Sequence, residues 1–228
     1  MVEHIGHIPV VGLVGGIGSG KSYLARGLEQ SGMIAVVDGD LAGHEVLQRP
    51  EVKSRIAERF GMSVIDRSGA VDRRKLSQVV FGAGTVATAA RTALESIVHP
   101  QIKEILAEQI AAARVRPGLL AVVLDAAIML ETGWRDNCDV VVFVDAPLEQ
   151  RQARVRATRG WTAADLQSRE DTQLPLSAKR QAADYVVENS GSAEAALARL
   201  EQIIRNLLPC GGSAQRVGPP ESDSLPKP

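Results

Sequence analysis

Five apolar runs of strand length punctuate the chain, at residues 10–14, 33–37, 119–124, 140–144 and 185–187. They are nearly continuous in apolar character rather than alternating, which predicts strands covered on both faces, as in a parallel sheet. Between them the hydrophobic period becomes helical. Residues 21–30 carry Leu24 and Leu28 on one face, and residues 193–208 align Leu197, Leu200, Ile204 and Leu207 in one stripe. Strands alternating with helices predict an α/β fold built on a doubly wound, five-stranded parallel sheet.

Two connections are too long for a single crossover helix. Residues 41–117 hold helical patterns at 52–60, 73–81 and 86–114, the last interrupted at His99-Pro100. Proline there opens a new helix at its first turn or kinks a continuing one. The region reads as a mainly helical insert on the ligand side of the sheet. Residues 149–179 form a second insert, rich in arginine. The folded domain spans 8–208 by this reading. From Pro209 the composition turns to Gly, Pro, Ser and charge, which predicts a disordered tail over 209–228. No internal repeat is evident.

Chemistry concentrates after the first strand, where residues 15–22 read Gly-Gly-Ile-Gly-Ser-Gly-Lys-Ser. Gly15, Gly20, Lys21 and Ser22 match the phosphate-loop pattern, and a strand precedes while a helix follows, as that loop requires. Backbone N–H groups curl around phosphate oxygens and the helix N-terminus adds positive potential. Lys21 is placed for the β- and γ-phosphates, and the Ser22 hydroxyl for Mg²⁺. The chain is expected to bind a nucleoside triphosphate.

Ligands of open parallel sheets sit beyond the carboxyl ends of the strands. Four aspartates stand there: Asp38 and Asp40 after the second strand, Asp125 after the third and Asp145 after the fourth. Asp145 is the one best explained as a turn or cap residue. The Asp38–Asp40 pair offers a carboxylate to take a proton from an acceptor hydroxyl or to hold Mg²⁺ through water. Asp125, ending an apolar strand, is a Walker B-like metal residue. In the second insert Arg151, Arg154, Arg156 and Arg159 crowd into nine residues without an intervening acid. A solvated basic face is one explanation; in a phosphate-loop protein a closing lid that brings arginine to the phosphoryl group is the other. Arg169, Lys179 and Arg180 are read as solvated. His44 lies close enough to the aspartate pair to contact substrate, whereas His99 packs within the insert and His4 and His7 are exposed.

The bulk properties narrow the class. A net charge of −1 argues against a general nucleic-acid or membrane-surface binder. Aromatics make up only 3% of the chain, so the core must rest on Val, Leu, Ile and Ala. Cys138 and Cys210 lack metal-ligand spacing and are expected as reduced thiols in a cytoplasmic protein. No apolar run reaches the roughly 20 residues of a membrane span, and the first apolar run is a strand rather than a signal peptide.

Taken together, the motifs resemble the dephospho-CoA kinase family over about residues 10–208. The resemblance rests on the loop at 15–22, Val37-Asp-Gly-Asp40, Asp72-Arg73-Arg74 with Val80-Phe81, Leu94 through His99-Pro100, Leu124-Asp125 through Leu130-Glu131, and Ala183-Asp-Tyr-Val-Val-Glu-Asn-Ser-Gly191. It implies transfer of the ATP γ-phosphoryl group to the ribose 3′-hydroxyl of dephospho-CoA, with ATP and Mg²⁺ required and no obligate protein partner. Carried to matching positions, Asp40 is the base, Arg154 the lid arginine, and Gly18, Ser19, Gly20, Lys21, Ser22 and Tyr23 the phosphate cradle. Asn189 and Gly191 fall near adenine. Asp38, His44, Arg73 and His99 are candidates on the acceptor side, and Ser22 and Asp125 at the metal. Two departures stand out: Tyr23 replaces the family's usual threonine, and Ala126-Ala-Ile-Met129 replaces a stretch that is usually Ile-Pro-Leu-Leu. Other small-molecule kinases of the phosphate-loop class share these generic parts. A nucleotide-hydrolysing switch is the remaining alternative, although Asp66-Arg-Ser-Gly69, its one formal match, reads better as a turn.

Overall fold

The computed structural model describes residues 8–80 and 84–208. Expectations for His4, His7, Phe81, Cys210 and the tail lie outside the described residues. Five strands, β1 (Val10–Val14), β2 (Ile34–Asp38), β3 (Ala121–Asp125), β4 (Val140–Asp145) and β5 (Tyr185–Glu188), form one parallel sheet in the order β2-β3-β1-β4-β5. The helices are α1 (Lys21–Glu29), α2 (Gly39–Val46), α3 (Pro50–Phe60), α4 (Arg73–Val80), α5 (Thr85–Arg114), α6 (Leu148–Arg159), α7 (Ala163–Glu170), α8 (Leu176–Gln181) and α9 (Ala193–Leu207).

Alternate residues of β1 serve two separate cores. Val11 and Leu13 pack with Leu24, Leu28, Leu200 and Ile204 of α1 and α9. Val10 and Val14 face the other layer, with Val46, Val52, Ile56, Ile105 and Leu106 from the helical insert. Burial on both faces is why the central strands read as unbroken apolar runs. β5 departs from that expectation: it is an edge strand, with Tyr185 and Glu188 exposed and only Val187 fully buried.

Of the two outcomes open at Pro100 the structure has the continuing helix, and one further element differs from the sequence reading. α5 runs through Pro100 as one 30-residue helix. Proline removes a single backbone hydrogen bond, while α2, α3 and α4 all pack along this helix and hold it together. The helix α2 begins directly after β2, where only an aspartate-bearing strand end was expected. Its start was nevertheless encoded: Asp38 is the N-cap and accepts a hydrogen bond from the Leu41 N–H at 2.9 Å.

This topology positions the site. β1 leads on to β2 on one side while its neighbour β3 leads on to β4 on the other, so the connections from these adjacent carboxyl ends depart in opposite directions and open a crevice between them. Asp125 closes β3 beside it, in register with Leu13 on one side and Asp38 on the other. Among the described residues no helix is long and apolar enough to cross a membrane.

Candidate active site

The loop between β1 and α1 is an anion cradle left open by its own sequence. Gly20 is the N-cap of α1 and brings no side chain to the first amides, and the first turn contains no acid. Those N–H groups therefore lack an internal partner, which makes the helix end a site for negative charge. Gly20 has φ +99, and a Cβ there would stand 2.3 Å from the Asn189 side-chain amide nitrogen. That amide is already committed, donating to the Ser19 carbonyl at 2.7 Å. Gly20→Ala should therefore destabilise the protein by about 2 kcal/mol through left-handed strain and the forced retreat of Asn189, read as a lower Tm, and should weaken ATP binding. An unchanged Tm would show that the loop yields without penalty.

Lys21 spans the loop. Its side chain is buried, and Nζ donates to the Gly15 and Gly16 carbonyls, both at 3.0 Å. Burial pulls its ammonium from 10.5 down to about 8, opposed chiefly by the Asp125 charge and furthered by Lys179. Asp125 is itself buried, and the Ser22 hydroxyl favours its charge. Its pKa is raised, burial being the main cause and Asp38 a further one. Asp40, in the first turn of α2, opens to solvent at the cleft, yet its pKa is also raised. The surrounding protein displaces water from it, and Asp38 and Asp125 repel its charge, while Lys21 and His44 draw it back. The carboxylates of three elements and one ammonium thus converge on the mouth of the loop.

The loop's rear is braced from the second insert. Arg154 Nη1 donates to the carbonyls of Ser19 (3.1 Å) and Gly18 (3.4 Å), and Nη2 to the Asn189 carbonyl (2.9 Å) and the Gln150 side-chain Oε1 (3.2 Å). Arg154, expected as a lid arginine, stands against the back of the phosphate loop. Asn189, expected near adenine, is buried and bonds Ser19 directly, while Gly191 is exposed just beyond it. Tyr23 is 59% exposed at the first turn of α1.

Other expected residues fall elsewhere. His44 is exposed on α2 and near enough to influence Asp40. Arg73 begins α4 and His99 is half-buried in α5; no described bond joins either to the loop. Asp145 pairs with Arg180 of α8. Asp66 accepts from Ser68 and Ala70 in a turn, as its sequence suggested. Lys179 corrects the expectation of a solvated residue: it is 1% exposed. Its Nζ meets Glu131 at 2.9 Å, Gln173 at 2.9 Å and the Ala127 carbonyl at 3.1 Å. Such a buried cation persists because every donor has an acceptor. Arg169 also is not simply solvated, since it stacks 4.0 Å from the Trp161 ring centroid, with Arg159 at 4.7 Å. Cys138 is a buried free thiol whose pKa burial pushes up to about 12, an inert core residue.

A phosphate loop at the switch point of a β2-β3-β1-β4-β5 sheet, flanked by strand-end carboxylates, defines a kinase of the phosphate-loop class. The dephospho-CoA kinase family model matches residues 9–195, and the chain belongs to that family. It is 37% identical over 199 residues to the dephospho-CoA kinase of Thermobifida fusca, covering 86% of this chain and 95% of that one. Against the Bacillus licheniformis dephospho-CoA kinase the identity is 35% over 196 residues, covering 86% and 94%. Among solved structures, TT1252 from Thermus thermophilus superposes with a TM-score of 0.73 at 32% identity, covering 89% of this chain and 99% of that one. The dephospho-CoA kinase from Campylobacter jejuni, at 19% identity and a TM-score of 0.63 over 87% and 98%, shares the fold.

Proposed function

We infer that the protein transfers the terminal phosphoryl group of ATP to the ribose 3′-hydroxyl of dephospho-CoA. The observation that carries this reading is the placement of Lys21 and Asp40 in the first turns of α1 and α2, at the carboxyl ends of β1 and β2, in a chain of the dephospho-CoA kinase family. Asp40 is the group that orients the acceptor hydroxyl and receives its proton; its raised pKa makes it a better base than an ordinary surface carboxylate. Lys21 and the amides of residues 18–23 hold the β- and γ-phosphates. Arg154 draws the Gly18 and Ser19 carbonyls backward, which leaves neighbouring N–H groups aimed at the cradle and puts a fixed positive charge beside it. Asp38, His44, Arg73 and His99 are proposed for the acceptor side, and Tyr23, Asn189 and Gly191 for the nucleotide.

The residues fit Mg²⁺. Ser22 and Asp125, near enough for the Ser22 hydroxyl to favour the Asp125 charge, would hold it. Mg²⁺ at such sites takes one or two protein ligands and the rest from phosphate and water. Bound there, it would neutralise charge on the phosphate oxygens. Action in the cytoplasm on two small molecules, without a protein partner, completes the proposal.

A coupled ADP-release assay tests it. ADP should form rapidly with ATP and dephospho-CoA, and far more slowly with AMP or without acceptor. Equal rates with AMP would move the protein to another small-molecule kinase class, and fast acceptor-independent release would make it a hydrolase.

The ionisation of the site sets an expected pH profile. With Lys21 titrating near 8 in the free protein, kcat/KM for ATP should fall as pH rises through about 8 and its acid limb should lie above the usual carboxylate range. The alkaline limb of kcat should lie higher, because bound triphosphate favours the charged lysine. Stability follows the same groups. Between about 8 and 10.5 the unfolded chain holds the lysine proton that the folded one has lost, so this group's contribution rises with pH. Asp40 and Asp125 bind protons more tightly when folded, so theirs falls as pH climbs past 3.8 through the raised values. At neutral pH all three oppose folding, a burden that ligand binding relieves. An alkaline limb of kcat/KM no lower than that of kcat would contradict this picture.

A further inference from the structure

The crest of the phosphate loop, Gly16-Ile17-Gly18, has glycine on both sides of Ile17 and so little conformational preference of its own. Something outside the loop must choose its shape. Ile17 is held at both of its backbone groups by two side chains of the second insert. Its N–H donates to Glu170 Oε1 of α7 at 3.0 Å. Its carbonyl accepts from Arg151 Nη1 of α6 at 3.4 Å. The same Nη1 donates to Glu170 Oε1 at 2.5 Å, and Arg151 Nε to the Ala146 carbonyl at 3.2 Å. The side chains are only 5% and 15% exposed. The fit is close: a Cβ on Gly16 would meet Arg151 Nη1 at 2.7 Å, and one on Gly18 would meet the Arg151 carbonyl at 2.8 Å.

A carboxylate beside a triphosphate cradle is electrostatically unfavourable unless it is neutralised, and Arg151 supplies the opposite charge at contact distance. Arg151 is thereby engaged on all sides, by a carboxylate and two backbone carbonyls, and is not a free phosphate-seeking arginine. We propose that Arg151 and Glu170 act together as a positioning pair that sets the backbone of the phosphate loop at Ile17 and thereby its affinity for ATP. Neither residue touches substrate; both act through the loop. The pair joins α6 to α7, so it also makes the second insert a structural part of the nucleotide site. This rests on the assignment of ATP to the loop.

The test is direct ATP binding by calorimetry, with thermal denaturation of each variant and the KM of each substrate. Glu170→Ala should weaken ATP binding about tenfold, as expected when a small displacement spreads through a preorganised site, with the KM for dephospho-CoA changed less than twofold. Glu170→Gln retains an acceptor for the Ile17 N–H and should recover most of the ATP affinity. Arg151→Ala should weaken ATP binding more than Glu170→Ala does, because it leaves the Glu170 carboxylate unneutralised beside the cradle, and the double variant should return to the Glu170→Ala level, because a pair acting as a unit is lost once. A Glu170→Ala protein that binds ATP like wild type at temperatures where it is folded, whatever its Tm, would overturn the proposal. So would a double variant whose loss is the product of the single losses. Failure of wild type itself to bind ATP would instead sink the functional reading.

Discussion

Asp40→Asn should lower kcat by about 10²-fold or more while leaving ATP affinity within a few-fold of wild type. Asparagine preserves the size of the side chain and its place in the first turn of α2, where the Asp38 cap rather than Asp40 secures the helix start. It cannot accept the hydroxyl proton. The substitution also removes one of the negative charges that crowd the cleft with Asp38 and Asp125, so the unliganded variant should be no less stable than wild type. Single-turnover rates with saturating ATP and dephospho-CoA, compared with ATP titrations of the same protein, separate the two effects. Near-normal turnover would remove Asp40 from the base role.

Lys21→Met should be the more damaging to ATP use, with kcat/KM reduced by about 10³-fold, the scale seen when a preorganised charge donor is removed. Methionine fills most of the volume that the buried lysine stem occupies. It loses the two hydrogen bonds to Gly15 and Gly16, but it also relieves the burial that pulls the ammonium down to about 8. These opposing changes should leave the Tm of the free protein unchanged or raised. ATP should raise the Tm of wild type in proportion to the logarithm of its concentration, and this rise should vanish in the variant. A sharp fall in the Tm of the free variant, with an ATP-dependent rise intact, would make Lys21 a structural strut for the loop and leave the phosphates to the amides alone.

The two experiments divide the site by mechanism. In the proposed reading Asp40 acts on the acceptor and Lys21 on the donor, and they stand at the starts of α2 and α1, the helices that follow β2 and β1. β3 lies between those two strands, and the Asp125 charge at its end acts on both residues as they act on each other.

Much of this was legible along the chain. The loop at 15–22 is one continuous segment, so its motif carries its own geometry: strand, glycines, lysine, helix. The strands were legible because burial on both faces leaves unbroken apolar runs, and their ends were off by only a residue or two. The start of α2 was written in Asp38 and the first-turn acid Asp40, and was passed over because the strand signal beside it was stronger. At Pro100 the local pattern left a new helix and a continuing one both open, because packing from three neighbouring helices, which outweighs one missing bond, is not visible along the chain.

What local pattern alone determined is the chemistry of contiguous segments: a phosphate cradle, strand-end carboxylates, an arginine-rich insert and the parallel sheet that orders them. Which charges meet was decided only in three dimensions. Lys179 was indistinguishable from a solvated lysine until Glu131, Gln173 and Ala127 closed around it. Arg151 and Arg154 looked alike in one basic helix, yet one is paired with Glu170 and the other bonded to loop carbonyls. A charged side chain's role depends on partners that are distant in sequence, because water screens it equally everywhere until folding withdraws that water at particular places.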